Sequence, residues 1–413
     1  MEPSSFFGGI GRALSNPIYR RYFISNTFST IGRWLHRMAV AWLAWELTKS
    51  TSWLGIVAFA DAFPMVVVSL IAGAVGDRVG YLRVIRFGQL GAGCVTALFA
   101  GFTVAGAITI EMVVALTFVF GSLEALSTPV RMSLVHSLVR REDLSPAIAL
   151  GSAMFNGARL VGPAIAGALI LWLDIGTVMA IGSLTFFQFF AVLLFIRIDE
   201  SGRDRKLSLE IFADIMTGVR YVLGDPGIRF LMILLGATGI LIRPFLELLP
   251  GFADEVFGRG PDGLAILMSS IGFGGLVSGL WLAHRGQTRG LTGLVTLSLL
   301  FSGVSLAVFT VTGFIWLAAC FMVSVGFFML LGGISSQTLI QNAVDSAMRA
   351  RVMSLFVVIS WGLPAFGALA EGWLASFIGL QPVVATGAVL AIVLWLWARA
   401  AGRRLAVELE RTS

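Results

Sequence analysis

Residues 291–312 read LTGLVTLSLLFSGVSLAVFTVT, with no charged side chain. Wound as an α-helix at about 1.5 Å per residue, such a stretch covers roughly 33 Å, enough for the hydrocarbon layer of a bilayer. Residues 53–75, WLGIVAFADAFPMVVVSLIAGAV, repeat the pattern with Asp61 as the one charge. Further apolar stretches run over 22–47, 84–106, 110–136, 146–172 and 176–198. In the second half they run over 229–252, 262–283, 314–340, 350–376 and 379–400. The expected fold class is an all-α membrane protein with twelve transmembrane helices.

Composition agrees. Of 413 residues, 57% are hydrophobic and 13% charged, and the mean hydropathy is +0.90. Soluble chains are about 45–50% apolar and about 25% charged. Water-facing surface cannot absorb that excess, whereas lipid can. The 48 glycines suit helices that pack backbone to backbone. Cys94 and Cys320 lie in apolar runs and read as buried structural cysteines. There is no metal-ligand spacing and no phosphate-binding GxxxxGK[ST], so no metal, cofactor or ATP drive is expected.

The net charge of +6 sits in short connections, which argues for membrane orientation and against nucleic acid. Arg20, Arg21, Arg78, Arg83, Arg86, Arg140, Arg141, Arg203, Arg205, Lys206, Arg285, Arg289, Arg349, Arg351, Arg403 and Arg404 fall on one side. Lys49 and Arg259 fall on the other. The positive-inside rule then places both termini in the cytoplasm, here of a bacterial cytoplasmic (inner) membrane. The first 23 residues lack a signal peptide's apolar core and small-residue cleavage site. A monomer is expected.

The most charged stretch, DESGRDRKLSLEIFADIMTGVRYVLGDPGIR, separates two halves. Leu209, Phe212, Ile215, Met216 and Val219 keep helical spacing, predicting an amphipathic helix on the membrane surface. The domains are therefore 1–198, a linker over 199–228, and 229–413. The halves match loosely at an offset near 200 residues: Gly162 and Gly167 fall opposite Gly362 and Gly367, and Gly73 opposite Gly279. Duplicated bundles around a central site are a transporter layout.

Between the second and third spans stands GAVGDRVGYLR, residues 73–83. With twelve spans, a duplicated half and a long central connection, this loop resembles the signature loop of the major facilitator superfamily. The resemblance implies secondary transport by alternating access. It also implies a conformational gate of Gly73, Asp77, Arg78, Gly80 and Arg83, with Asp77 meeting the segment around Met348–Arg351. The sequence departs from the pattern at Tyr81 and Leu82, and Ala283 stands where the second half would repeat the acid. ARLVGPAIAG, residues 158–167, resembles the glycine–proline signature of the superfamily's antiporters. It makes Gly162, Pro163 and Gly167 a helix-packing pivot, against ordinary small-residue packing. STPVRMSLVHSLVRREDLSPAIALGSAMFNGARLVGP, LAWELTKSTSWLGIV and MRARVMSLF resemble the exporter subgroup typified by the enterobactin exporter.

Ionisable residues inside spans are costly and point to function. Arg33, His36 and Arg37 share a face of the first helix by spacing. Arg159, Arg243, Glu247 and Glu124 lie in the fifth, seventh and fourth. The resemblance to the superfamily, whose first, fourth and seventh helices line a central cavity, implies that Arg33, His36, Arg37, Glu124, Arg243 and Glu247, with Arg159 beside them, are the candidate substrate-cavity residues. An arginine keeps its proton and can clamp a carboxylate in a fork. Four mid-membrane arginines against Glu124 point to an anionic or mixed-charge organic substrate. The alternative is internal pairing: Arg243 with Glu247, and Glu124 with an arginine of the first or fifth helix. Glu124 and Asp61 are the proton-coupling candidates, and protons the expected coupling ion. Glu46 and Glu371 read as helix ends, Trp45 and Trp53 as interfacial residues. The expected function is proton-coupled efflux of a small organic, siderophore- or drug-like compound. The alternatives are an uptake carrier for an anionic metabolite, a membrane enzyme or a transport-dead sensor.

Overall fold

The computed structural model describes residues 8–198, 211–345 and 348–410, all of whose regular elements are helical. They are α1 (Gly8–Ser15), α2 (Pro17–Thr48), α3 (Thr51–Val79), α4 (Tyr81–Val104), α5 (Ile110–Leu138), α6 (Leu144–Ile170) and α7 (Ile175–Phe195). After them come α8 (Ile211–Gly224), α9 (Pro226–Leu241), α10 (Phe245–Gly251), α11 (Pro261–Arg285) and α12 (Leu291–Val311). Last are α13 (Ile315–Ala343), α14 (Arg349–Ile378) and α15 (Leu380–Leu409). Eleven described helical stretches are long and apolar enough to cross a membrane, with α9, α10 and a following π-turn counted as one. The 32-residue α2, which carries Arg33 and Arg37, completes the set of long helices.

The described residues fall into two compact units, one of residues 8–43 and 67–198, the other of residues 44–66 and 211–410. In the first, a core of Tyr22, Ile85, Leu134, Phe189 and Leu193 joins α2, α4, α5 and α7. Burying such side chains contributes roughly 1.5–3 kcal/mol each when the alternative is water. Inside lipid that term vanishes and close packing takes over. Glycines provide it: a methyl on Gly32 would strike the Thr185 side chain, and one on Gly88 the Ser127 hydroxyl. In the second unit α11 and α13 approach reciprocally. A methyl on Gly274 would strike the Val323 carbonyl, and one on Gly326 the Ile271 carbonyl.

Helix starts follow their capping residues. Asn16 Oδ1 accepts from the Ile18 and Tyr19 amides at 2.9 and 3.3 Å. Asp225 caps α9 through Ile228 N at 2.8 Å, with Pro226 at the first helical position. Glu410 reaches back to α12, accepting from Gly290 N at 2.6 Å and Thr292 N at 3.0 Å.

Some expectations are corrected. The seventh span is broken: the amides of Ile242 and Arg243 both donate to Thr238 O, Pro244 interrupts the chain, and Phe252–Val256 is a π-turn. Proline without an N–H and a widened turn are the usual causes of such breaks. Leu209 lies outside the described residues. The linker helix α8 packs against α9 and α14, with Gly218 over the Arg351 carbonyl; it is a docked element as well as a surface one. Tyr221 on α8 hydrogen-bonds Asp345 Oδ2 at 3.2 Å, and partial burial raises its phenol above the ordinary value. Cys94 and Cys320 are exposed, because their helices turn those faces away from neighbours toward the surrounding medium. The short amphipathic α1, tied to Asp143 by Arg12 at 3.2 Å, went unread in the sequence.

Candidate substrate and gating sites

The charges of the first unit converge. Arg33 Nη2 lies 2.8 Å from Glu124 Oε2. Arg131 Nη2 lies 3.5 Å from both oxygens of the same carboxylate. Residues 124 and 131 are two turns apart on α5, so they share a face. Arg131 was not among the candidate cavity residues read from the sequence. Glu124 is 8% exposed. A buried carboxylate needs such partners, since an unpaired one costs several kcal/mol.

Beside this trio stands Trp34. The guanidiniums of Arg37 and Arg159 each lie 5.8 Å from its ring centroid, and Phe155 meets it edge-on at 6.0 Å. Cation–π contacts of this kind are worth about 0.5–2 kcal/mol. α2, α5 and α6 therefore bring one glutamate, four arginines and one indole into neighbouring positions. His36, spaced to join them, is instead packed into the bundle at 2% exposure. It stacks on Phe120 at 4.2 Å and meets Phe99 edge-on at 5.3 Å. Thr96 Oγ1 is 3.3 Å from Nδ1.

The pivot sequence lies in a continuous helix. Gly162, Pro163 and Gly167 are buried in α6. A Cβ on Gly162 would stand 2.5 Å from Trp34 Cβ, so α6 and α2 touch where the indole leaves the backbone.

In the second unit Arg243 occupies the break between α9 and α10. Its Nη1 donates to Ser360 O at 2.6 Å, and the guanidinium lies 5.9 Å from the Trp361 ring centroid. Glu247 follows in the first turn of α10. Asp61 is part-buried on α3. Trp45, expected at the interface, is fully buried. Its Nε1 donates to Asp254 Oδ2 at 2.8 Å. Lys49 Nζ reaches the same oxygen at 2.6 Å and lies 5.6 Å from the indole centroid. Glu371, expected at a helix end, is buried in α14; Glu46 is exposed as a helix end should be.

The signature loop is a tight turn. Gly80, between α3 and α4, has φ +103°, a conformation that a residue with a Cβ resists. The Tyr81 hydroxyl donates to Asp77 Oδ1 at 2.6 Å, so the departure from the pattern at Tyr81 supplies a local partner for Asp77. Asp77, Arg78 and Arg83 are exposed. Gly73 falls on α3, with its side-chain environment outside the described residues. Among the described residues no group of three or more His, Cys, Asp or Glu could hold a metal.

The family profile described as transmembrane secretion effector matches residues 12–408. The Staphyloferrin A transporter of Staphylococcus aureus is 24% identical over 402 residues, covering 95% of this chain and 98% of that protein. The multidrug efflux pump Tap of Mycolicibacterium fortuitum is 25% identical over 362 residues, 83% of this chain and 86% of that one. A solved POT family transporter in complex with 5-aminolevulinic acid shares the fold at TM-score 0.73. Its identity is 15%, with coverage of 100% and 99%. With its span-long helices and a match over nearly its whole length, the chain is a multi-pass membrane transporter belonging to the transmembrane secretion effector family of the major facilitator superfamily.

Proposed function

We propose that this transporter exports a small anionic or mixed-charge organic compound in exchange for protons, by alternating access, with both termini in the cytoplasm of a bacterial inner membrane. The observation that carries the reading is the cluster on α2, α5 and α6, where Arg33, Arg131, Arg37 and Arg159 surround Glu124 and Trp34. An arginine fork matches a carboxylate, and an indole offers a face to a flat or apolar part of the same molecule. Relatives named as a Staphyloferrin A transporter and a multidrug efflux pump support an organic compound as cargo and efflux as its direction.

In this reading an incoming acid group competes with Glu124 for Arg33 and Arg131. A proton on Glu124, with Asp61 as a second candidate, removes the competitor. Arg243 and Glu247 are the candidate cavity residues of the second unit, the loop of Gly73, Asp77, Arg78, Gly80 and Arg83 acts as the conformational gate, and Gly162, Pro163 and Gly167 let α6 move against α2. The test is accumulation of labelled staphyloferrin A and of a panel of carboxylate-bearing drugs in cells lacking the gene, with and without a proton uncoupler. Export predicts higher accumulation without the gene and loss of the difference under uncoupler. Uptake into right-side-out vesicles in preference to inverted ones would reverse the direction.

A further inference from the structure

The first turns of α3 lie against α14 with almost no room between the backbones. A Cβ on Gly55 would stand 2.6 Å from the Ala368 carbonyl oxygen, and one on Gly372 would stand 2.5 Å from the Thr51 carbonyl. Thr51 Oγ1 donates to Gly372 O at 2.9 Å, bolting the two helices. Phe59 closes the same seam one turn on, meeting Phe366 edge-on at 5.2 Å. Immediately beside this seam, next to Gly372, is Glu371.

Glu371 is 8% exposed. Its Oε2 is buried with no hydrogen-bond partner, and among the described residues no lysine, arginine or histidine forms an ion pair with it. A Cβ added to Gly387 of α15 would lie 3.6 Å from Oε1, so the carboxyl is pressed against an uncharged stretch of helix. The elements packed on α14 carry few charges. α13 has none, and α15 none before Arg399. α9 has Arg229 at its start, and Arg243 just past its end is held on α14 at Ser360 and Trp361, about three turns before Glu371. α14 itself carries Arg349 and Arg351 at its start, and α8 has Asp214 and Arg220 at that far end, where Gly218 meets Arg351. Asp61 on α3 and Glu247 on α10 are each engaged in interactions of their own. Lys49 and Asp254, near the same end, neutralise each other. Glu124 contrasts with all this: protonating it would sacrifice two ion pairs, while protonating Glu371 sacrifices none.

We propose that Glu371 is a proton-binding site that locks the α3–α14 seam, the seam being closed over the neutral acid and opened when the carboxylate forms. The physical reason is desolvation. A lone carboxylate in an apolar packing is among the costliest groups to bury, and the neutral acid is far cheaper. Loss of the proton to water therefore favours whichever arrangement wets the side chain, and that requires α3 to leave α14. Proton uptake and closure become one event. On the export reading above, on which the placement rests, this end faces outside, so protons are taken up there as the seam shuts.

Hydrogen–deuterium exchange of the full chain in lipid nanodiscs tests this without any substrate. After correction for intrinsic exchange, segments 51–59 and 366–375 of the unmodified protein are expected to open more as pH rises. The gain should reach about tenfold per pH unit across part of the range, as for release of one proton. Glu371→Gln removes the titration and leaves these segments protected at every pH. Glu371→Asp keeps a titration with a displaced midpoint, which guards against a Gln variant that fails to fold. Infrared difference spectra should show a protonated carboxyl carbonyl band that disappears in Glu371→Gln. Unchanged pH dependence in Glu371→Gln, or protection independent of pH in the unmodified protein, overturns the proposal. Proton-driven flux is measured separately with staphyloferrin A as probe: its absence beside an intact exchange titration would reject export and leave the proton lock standing.

Discussion

Gly162 and Gly157 form a matched pair on α6. A Cβ on Gly162 would stand 2.5 Å from Trp34 Cβ, while one on Gly157 meets nothing within 4 Å. Carbon atoms rest about 3.5–4.0 Å apart, so Gly162→Ala demands that α6 and α2 separate by about 1 Å or that Trp34 shift. Overpacking of this degree costs about 1–3 kcal/mol. Gly157→Ala carries only the helix-stiffening benefit of losing a glycine, about 0.5–1 kcal/mol. Gly162→Ala gains the same benefit, so the two single-methyl changes should differ by the overpacking cost alone, about 1–3 kcal/mol, with Gly157→Ala the more stable, read by denaturant titration in mixed micelles. Because Trp34 also receives Arg37 and Arg159, Gly162→Ala should weaken binding of carboxylate substrates, and Gly157→Ala should leave it unchanged. If both variants shift stability equally and in the same direction, the close crossing of α6 and α2 is not what holds the indole in place.

Glu124→Gln removes the common partner of Arg33 and Arg131. Breaking a buried pair from one side costs about 3–5 kcal/mol, so the variant should be less stable and should lose pH-driven flux while still binding substrate. Full proton-coupled transport in it would reject Glu124 as a coupling group. Asp254→Asn should release Lys49 and weaken the hold on the buried Trp45, red-shifting the fluorescence of a variant that keeps Trp45 alone; an unchanged spectrum would refute the link. At the start of α7 the Thr177 hydroxyl, and secondarily its amide, hold the Asp174 carboxyl below its ordinary value. A depressed value means the cap stabilises above the ordinary aspartate range and is lost as pH falls through the lowered one. Amides 175–178 should therefore exchange faster only in that acidic window, and Asp174→Asn should flatten the response.

The spans were legible because a run such as 291–312 has no other soluble or membrane use, and a helix satisfies its own backbone in lipid. The pairing of Glu124 with an arginine of α2 was one of two alternatives open at that point; Arg131 was missed because depth was judged from residue number, without asking which side chains lie two turns apart. His36 was misplaced by the same arithmetic, since spacing gives a shared face but not which face a bundle buries. Glu371 and Trp45 were read as interfacial from their positions near span ends. Their burial depends on glycines 300 residues away in sequence, Gly55 against Ala368 among them, and no local pattern announces such a crossing. The break near Arg243 had a signal in Pro244 and Pro250, though proline alone does not say whether a helix kinks or stops.

The bond from Glu410 back to Gly290 and Thr292 spans 120 and 118 positions of chain. The first turn of α12 thus waits for its cap until synthesis has passed residue 410, long after its own hydrophobic stretch has been inserted. Shortening the polypeptide before that glutamate would leave two amides of an early-made helix without their acceptor. Fusion partners and purification tags are better joined with a spacer after residue 410 than in place of it.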